Sequence, residues 1–181
     1  MSKIETLEEM IRELVKVDVL CLREGIQAHL MILGGSGLLL IMEMMDMKFR
    51  PTDDIDVNIM ASNNEAGIRK ILNNAFIDIL DGTVEVPPME DFRDHPHIKV
   101  ETELLKAIEI FVPTIELLAC TKIFSRRGKD YDDLMYTDIL NACDKEVLME
   151  KVDEYKDFLV NPNDPDLNYY QLQNIMRERG I

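Results

Sequence analysis

One stretch of the chain, residues 31–60, constrains the fold more than any other. It begins with an apolar run, passes through Gly34-Gly35-Ser36, and ends on Asp54-Ile55-Asp56 and further apolar residues. The apolar run predicts a short strand that turns at the glycines into a helix, and the acidic segment predicts the start of a second strand. A glycine turn that opens a helix offers free backbone N–H groups, which suit a phosphate.

The carboxylates of Asp54 and Asp56 are two residues apart, so on an extended strand they leave the same face. They repel each other unless a cation or a proton lies between them, and two hard oxygen ligands suit Mg²⁺ (or Mn²⁺). A solvated acidic turn is the alternative, but the apolar residues that follow at strand-like spacing favour an ordered element. Asp53 points to the opposite side and is not expected to be a ligand. Together, the turn and the two carboxylates predict a metal-assisted phosphoryl-transfer site.

A second informative block lies between residues 113 and 133. Pro113 is expected to precede a helix that Gly128 ends, and on this helix Lys122 and Arg126 share a face because they are four residues apart. In a chain of formal net charge −15, a local group of cations stands out; it comprises Lys122, Arg126, Arg127 and Lys129. Such cations either clamp a triphosphate or complement the dipole at the end of a helix. We favour the dipole interpretation for Arg127, and we expect Asp130 and Asp133 to pair with the cations or to cap the next helix.

The two blocks resemble a known superfamily. Gly34-Gly35-Ser36, followed nineteen positions after Gly35 by Asp54-Ile55-Asp56, is similar to the signature of nucleotidyltransferases with the DNA polymerase beta-like fold. The block from Pro113 to Asp133 is similar to the Pro-x-x-Glu-x-Leu-x-x-x-Lys, Arg, Lys-Asp-x-x-Asp pattern of small nucleotidyltransferases related to AbiEii-type toxins. The resemblance covers roughly residues 30–140.

The resemblance implies an α/β (α+β) fold, in which helices flank a small mixed sheet and the C-terminal part is helical. We expect a nucleotidyltransferase-like domain over residues 1–142 and a helical extension, packed on it, over residues 143–181. Asp54 and Asp56 are expected to hold the metal and to be catalytic, and Lys122 is expected to offset developing negative charge. The residues implied to bind the nucleotide are Gly34, Gly35, Ser36, Lys122, Arg126, Lys129 and Asp130.

Proteins with this fold usually add a third acid from a neighbouring strand. Glu109 fits by position, on the strand just before Pro113, and is expected to be a third metal ligand or a general base. The alternative is a surface glutamate on an edge strand. His95-Pro96-His97 is expected to be an exposed turn rather than a metal site.

The activity implied by the resemblance is transfer of a nucleoside monophosphate from a nucleoside triphosphate to a hydroxyl acceptor, which is an RNA, a protein or a small molecule. A function from another class stays open: a non-catalytic nucleotide-binding protein, or a toxin–antitoxin-type partner protein, with a degenerate site. A toxin that adds nucleotides to tRNA is a third interpretation. It needs a basic acceptor surface, and the chain has little basic sequence beyond residues 122–129.

Composition narrows the partners and the location. The net charge of −15 disfavours a protein that coats nucleic acid, although Mg²⁺ can bridge an acidic protein to a phosphate. The cysteines form no Cys-x-x-Cys pair, which disfavours zinc and suits a reducing cytosol; they are Cys21, Cys120 and Cys143. The uncharged run over residues 30–42 is too short for a membrane span, and the acidic N-terminal segment is unlike a signal peptide. We therefore expect a cytoplasmic protein without a membrane segment.

Hydrophobic periodicity predicts the remaining elements. Helices are expected over residues 4–25, 37–45, 64–80, 114–127, 130–141, 145–160 and 166–180, with Ser36 as the cap of the second helix. Strands are expected over residues 30–33, 84–86, 98–101 and 107–112, and from Asp54 onward.

Overall fold

A five-stranded mixed sheet organises the protein in the computed structural model, which describes residues 3–81 and 86–181. The strands are β1 Ala28–Leu33, β2 Asp56–Ser62, β3 Asp78–Ile79, β4 His97–Lys99 and β5 Ile108–Pro113. Their order is β3-β2-β1-β5-β4. Strand β1 pairs antiparallel with β2 and parallel with β5, while β2 pairs parallel with β3 and β4 pairs antiparallel with β5.

Helices cover the sheet and form the C-terminal part. They are α1 Leu7–Glu24, α2 Gly34–Met44, α3 Glu65–Asn74, α4 Met89–Asp94, α5 Ile115–Ile123, α6 Gly128–Tyr136, α7 Ile139–Ala142, α8 Lys145–Tyr155 and α9 Leu172–Arg179. Short 3₁₀ turns lie at Lys156–Phe158 and Asn168–Gln171. No helix in the described part of the chain is long and apolar enough to cross a membrane. This mixed sheet with flanking helices and a helical C-terminus confirms the predicted fold class.

The core follows from two apolar elements. Strand β1 is buried from Leu30 to Leu33, as expected for a central strand whose two faces are both covered. Helix α5 is buried on all sides because it is apolar all round, and it packs against α2, α6 and α8. The C-terminal residues join the same core, since the Asn168 side chain donates a hydrogen bond to the carbonyl oxygen of Lys122 at 3.0 Å.

Local signals set several helix ends, and two of them, the end of α1 at Gly25 and the start of α5 after Pro113, lie where they were predicted. Helix α1 begins after Thr6, whose hydroxyl accepts a hydrogen bond from the Glu9 N–H at 3.2 Å. It ends at Gly25, which adopts a left-handed conformation with a φ of 66°. Helix α5 begins after Thr114, whose hydroxyl accepts from the Leu117 N–H.

Other boundaries differ from the predictions. Helix α2 begins at Gly34 rather than at residue 37, and Leu33, not Ser36, occupies its N-cap position. The helix predicted over residues 64–80 ends at Asn74, because residues 78–79 pair with β2 as strand β3. The helices predicted over 130–141 and 166–180 are each divided, the first into α6 and α7. Of the strand predicted at 84–86, residues 84 and 85 lie outside the described residues, and Val86 is in a bend.

Candidate metal and nucleotide site

The glycine turn between β1 and α2 brings the backbone against the acidic strand. Gly34 has a φ of 57°, which favours glycine, and a Cβ built there would lie 2.0 Å from Oδ2 of Asp56. Gly37 is needed for a different close approach, because its Cβ would lie 2.7 Å from the carbonyl oxygen of Ile32. The glycines therefore allow α2 to start directly at the end of β1, with its first turn beside Asp56.

Ser36 lies beneath this turn, fully buried. Its hydroxyl donates a hydrogen bond to the carbonyl oxygen of Leu33 at 2.8 Å and accepts one from the N–H of Asp56 at 3.0 Å. These two bonds fasten the turn to the first residue of β2. The Ser36 side chain therefore positions the turn. The N–H groups that the turn can offer to a ligand belong to its backbone.

Three carboxylates meet at the edge of the sheet next to the turn. Asp54, Asp56 and Asp78 each offer an oxygen, and these oxygens all lie within 4.8 Å of one another. Asp56 and Asp78 are register partners at the starts of the parallel strands β2 and β3. In residues 3–81 and 86–181 this is the one such group of three potential metal ligands. Its all-oxygen chemistry fits a hard divalent cation such as Mg²⁺ or Mn²⁺.

The electrostatics of Asp56 reflect this crowding. The pKa of Asp56 is raised to about 6, first by burial and then by the charges of Asp54 and Asp78, while Lys122 and Arg127 act in the opposite direction. The ionised form of Asp56 is therefore held at a cost, and a cation among the three carboxylates would offset that cost.

The structure places Glu109 away from this cluster, which corrects the choice of the third acid. Strand β5 runs parallel to β1 with Glu109 opposite His29, four residues before β1 ends at Leu33. The Glu109 side chain is 44% exposed and accepts from Lys99 Nζ at 2.7 Å, and it lies 3.2 Å from His29 Nε2. The ion pair with Lys99 holds the pKa of Glu109 below its usual value.

Asp78 is the acid that sequence reasoning missed. It lies in a segment whose apolar periodicity predicted a helix through residue 80, so its side chain had no predicted direction. The neighbouring strand that supplies the third acid is β3, on the far side of β2 from β1. The chain turns from the helix into strand β3 at Phe76, which has a positive φ of 56°. This conformation is visible only in the structure and could not be predicted from the sequence.

Lys122 lies inside the molecule rather than on a surface. Its residue is 2% exposed, and its ammonium group lies 2.5 Å from Asp130 Oδ1 and 3.1 Å from Asp133 Oδ2. Burial raises the pKa of Asp130, but Lys122, together with Ser125 and Arg127, more than offsets this and holds the pKa below its usual value. The predicted pairing of these aspartates with the cations is therefore present.

The other cations of this block lie at the surface. Arg126 pairs with Asp164 at 2.7 Å, and Lys129 lies 3.6 Å from Asp53. Arg127 donates to Asp130 Oδ2 at 2.6 Å. Helix α5 ends at Ile123, and Arg127 occupies the N-cap position of α6. Arg127 therefore does not complement the C-terminal dipole of α5, and the dipole interpretation of this residue is wrong.

A cleft of about 530 Å³ opens from Gly34 and Asp56 toward the C-terminal part of the chain. This volume is within the range of small-molecule sites. Its polar or charged lining residues are Asp56, Thr121, Ser125, Arg126, Arg127 and Asn161. Its other lining residues are Leu33, Gly34, Leu80, Val86, Pro87, Met89, Phe92, Phe124, Leu159, Val160 and Leu167. The cleft thus has one acidic end, a rim with two arginines, and a largely apolar remainder.

Comparison with known proteins adds one finding. A family model for nucleotidyltransferases of unknown function (DUF6036) matches residues 5–178, a span that includes both sequence blocks and the C-terminal helices. No curated protein and no solved structure matches the chain. The likeness to AbiEii-type toxins stays a prediction from the sequence.

Proposed function

The chain belongs to this family of nucleotidyltransferases of unknown function, and from that premise we propose that it transfers a nucleoside monophosphate from a nucleoside triphosphate to a hydroxyl acceptor, with release of pyrophosphate. The observation that carries the proposal is the group of three carboxylates, of which Asp56 lines a cleft large enough for a nucleotide. Family membership supports the general kind of reaction, and the donor, acceptor and metal are our proposal.

Asp54, Asp56 and Asp78 are the proposed ligands of Mg²⁺ or Mn²⁺, because three mutually close carboxylate oxygens are a hard donor set. When bound, the metal supplies Lewis-acid polarisation of the reacting phosphate. Ser36 positions this donor set by accepting the N–H of Asp56, and Asp54 is oriented by Thr52, whose hydroxyl lies 3.3 Å from Asp54 Oδ1. Asp78 takes the place that we had predicted for Glu109.

The glycine turn is the proposed site for the phosphates nearest the carboxylates. Gly34 and Gly35 carry no side chains, so a phosphate can approach the first N–H groups of α2, where the helix dipole favours negative charge. Arg126 contributes from the wall of the cleft, and Lys129 contributes positive charge at an exposed position next to Asp53. Lys122 and Asp130 act indirectly, because both are buried.

A second function rests on one observation. Lys122 is paired inside the molecule instead of facing the cleft, which is the arrangement expected of a site that binds a nucleotide without transferring it. In that case the chain is a nucleotide-binding or toxin–antitoxin-type partner protein. Both functions require nucleotide binding, but only the transferase yields a covalently labelled acceptor.

The test combines binding with label transfer. Calorimetry with each of the four nucleoside triphosphates, with and without Mg²⁺, is carried out on the wild type and on Asp54→Asn and Asp56→Asn. Asp53→Asn is the matched control, because it removes the same charge from a neighbouring residue outside the carboxylate group. Triphosphates labelled at the α-phosphate are then incubated with total RNA and with a protein extract.

We expect Mg²⁺-dependent binding that both Asp54→Asn and Asp56→Asn weaken at least about ten-fold and Asp53→Asn leaves unchanged, together with label in one acceptor class. Binding without label in any acceptor favours the partner protein. Full label transfer by Asp56→Asn contradicts the proposed site.

A further inference from the structure

Five ionised side chains form one connected network beneath the cleft, with Lys122 at its centre. Lys122 bridges two buried aspartates, Asp130 and Asp133, through its ammonium group. Each aspartate also binds an arginine: Asp130 accepts from Arg127, and Asp133 accepts from Arg50. The order of the network is therefore arginine, aspartate, lysine, aspartate, arginine.

Arg50 ends the network on the side of the glycine turn. Its Nε and Nη2 bind the two oxygens of Asp133, the latter at 2.7 Å, and Nη1 donates to the carbonyl oxygen of Pro51 at 3.2 Å. These bonds use three of the five N–H donors of a guanidinium, and the remaining two find no partner within residues 3–81 and 86–181. A Cβ built on Gly35 would lie 3.7 Å from Nη2 and 3.9 Å from Nη1, so the guanidinium lies against the turn.

Arg127 ends the network on the side of the cleft. Its Nε binds Asp130, while both terminal nitrogens lack a partner in the described part of the chain. Its side chain is 74% exposed and lines the cleft that contains Asp56.

The charges of the network do not cancel. Three cations face two anions, so one positive charge remains, and the three central side chains are at most 3% exposed. Lys122 cannot supply that charge to a ligand because both aspartates enclose its ammonium group. The remaining positive charge is therefore available to a ligand at Arg50 and Arg127, the two ends of the network, where the guanidinium groups have unused N–H donors.

A guanidinium held by a carboxylate on one edge presents its other donors in a fixed direction, and its fork geometry matches the oxygens of a phosphate. One such group, Arg50, lies against the glycine turn, and the other, Arg127, lines the cleft that contains Gly34 and Asp56, which suits a short polyphosphate chain. The net charge of −15 disfavours the extended backbone of a nucleic acid as the anion.

We propose that Arg50 and Arg127, in addition to Arg126, bind the polyphosphate of the donor nucleotide, and that Lys122 is the internal counter-ion that positions Arg50 and Arg127. The proposal rests on the proposed function in its choice of a nucleoside triphosphate as ligand. Arg50 and Arg127 contact the phosphates directly, whereas Lys122 acts through Asp130 and Asp133.

The probe is inorganic tripolyphosphate, titrated calorimetrically in the presence of Mg²⁺ alongside the nucleoside triphosphate that the wild type binds most tightly. The variants are Arg50→Gln, Arg50→Lys and Arg127→Gln. Arg12→Gln is the matched control, because it makes the same change in charge at an exposed residue of α1 whose one ionic partner among the described residues is Glu8. A thermal melt of each variant separates folding from binding.

We expect Arg50→Gln and Arg127→Gln each to weaken both ligands about ten-fold or more, and to the same extent, because the lost contacts are to phosphate. Arg50→Lys is expected to recover part of the loss, since it keeps the charge but not the fork. Arg12→Gln is expected to stay within about two-fold of the wild type. Since the Arg127 side chain is mostly exposed, this variant carries the test even if Arg50→Gln unfolds.

The outcomes distinguish the two proposals. If Arg127→Gln and folded Arg50 variants bind both ligands as the wild type does, the arginine assignment is wrong and the proposed function stands. If tripolyphosphate binding depends on the arginines but no triphosphate binds more tightly and no acceptor is labelled, the anion site stands and the proposed function fails. If the wild type binds neither ligand, both are overturned.

Discussion

Asp56 begins β2 next to two other carboxylates, and its partial burial together with their charges raises its pKa to about 6. Its N–H is nevertheless fixed by Ser36, and its carboxylate lies against Gly34. A residue held in this way contributes little to folding in the absence of a cation. Substitution at Asp56 therefore separates the stability of the fold from the chemistry of the site.

Asp56→Asn is expected to raise the free energy of unfolding in EDTA at pH 8 by about 1–2 kcal/mol, because it removes a desolvated charge that its neighbours repel. The gain is expected to shrink as the pH falls through about 6, where the wild-type carboxyl becomes protonated. The same variant is expected to lose the rise in melting temperature that Mg²⁺ gives the wild type. Denaturant unfolding at pH 5 and pH 8 measures the first effect, and thermal melts with and without Mg²⁺ measure the second, with Asp53→Asn as control in both. A loss of stability in EDTA at pH 8 contradicts this account.

Gly34 offers a test of the close approach at the turn. Gly34→Ala combines the strain of a positive φ with a Cβ placed 2.0 Å from Asp56 Oδ2. Gly25→Ala is the matched control, since Gly25 has a similar φ of 66° but open space around its Cβ. We expect a cost of about 1 kcal/mol for Gly25→Ala, and a larger cost together with loss of Mg²⁺ binding for Gly34→Ala. Equal melting temperatures for the two variants would falsify the role assigned to this contact.

At the scale of elements, the ion network joins α5, α6 and the segment before β2. Lys122 lies on α5, and Asp130 and Asp133 lie on α6. Arg50 lies 83 positions before its partner Asp133 in the chain. Buried ion pairs of this kind add little net stability, but the loss of one partner leaves a charge without compensation. The network therefore fixes the packing of α5 on α6 more than it stabilises the fold.

Lys122→Met is expected to destabilise the protein by about 3–5 kcal/mol, because Asp130 and Asp133 remain buried with less positive charge. Lys129→Met, which removes an exposed pair with Asp53, is expected to cost less than about 1 kcal/mol. Adding Asp130→Asn to Lys122→Met is expected to recover part of the loss, which a double-mutant cycle measures. Additive costs in that cycle would show that the two side chains are not coupled.

The elements also show where local patterns succeed and where they fail. The start of α1 at Thr6 and its end at Gly25 depend on the residues themselves, and the prediction was close. Strand β3 has only two residues, and it exists because they pair with β2. Periodicity could not separate these residues from the preceding helix, so Asp78 was missed and Glu109 was chosen instead.

At the scale of the molecule, the C-terminal part completes the cleft. Leu159, Val160, Asn161 and Leu167 line it, and the Asn168 N–H donates to the carbonyl oxygen of Ser125 at 2.9 Å, next to the two arginines of the cleft wall. Helix α8 covers α5. The division into a domain over 1–142 and an extension over 143–181 stays a prediction, and these contacts indicate that the extension is required for folding.

A chain that ends at residue 142 is expected to unfold without a cooperative transition, because α5 would expose apolar residues that α8 now covers. Far-UV circular dichroism during heating measures this, with the 181-residue chain as the reference. A sharp transition in the shortened chain would instead show that residues 1–142 fold independently.

The sequence by itself determined the features that depend on neighbouring residues: the glycine turn, the shared face of Asp54 and Asp56, the end of α1 at Gly25 and the start of α5 after Pro113. These follow from backbone geometry over a few residues. Only the tertiary structure decided which strand supplies the third carboxylate and whether Lys122 faces a ligand or two aspartates. The physical reason is that strand pairing and ion pairing join segments far apart in the chain, and the burial of each side chain depends on what the distant segment brings to it.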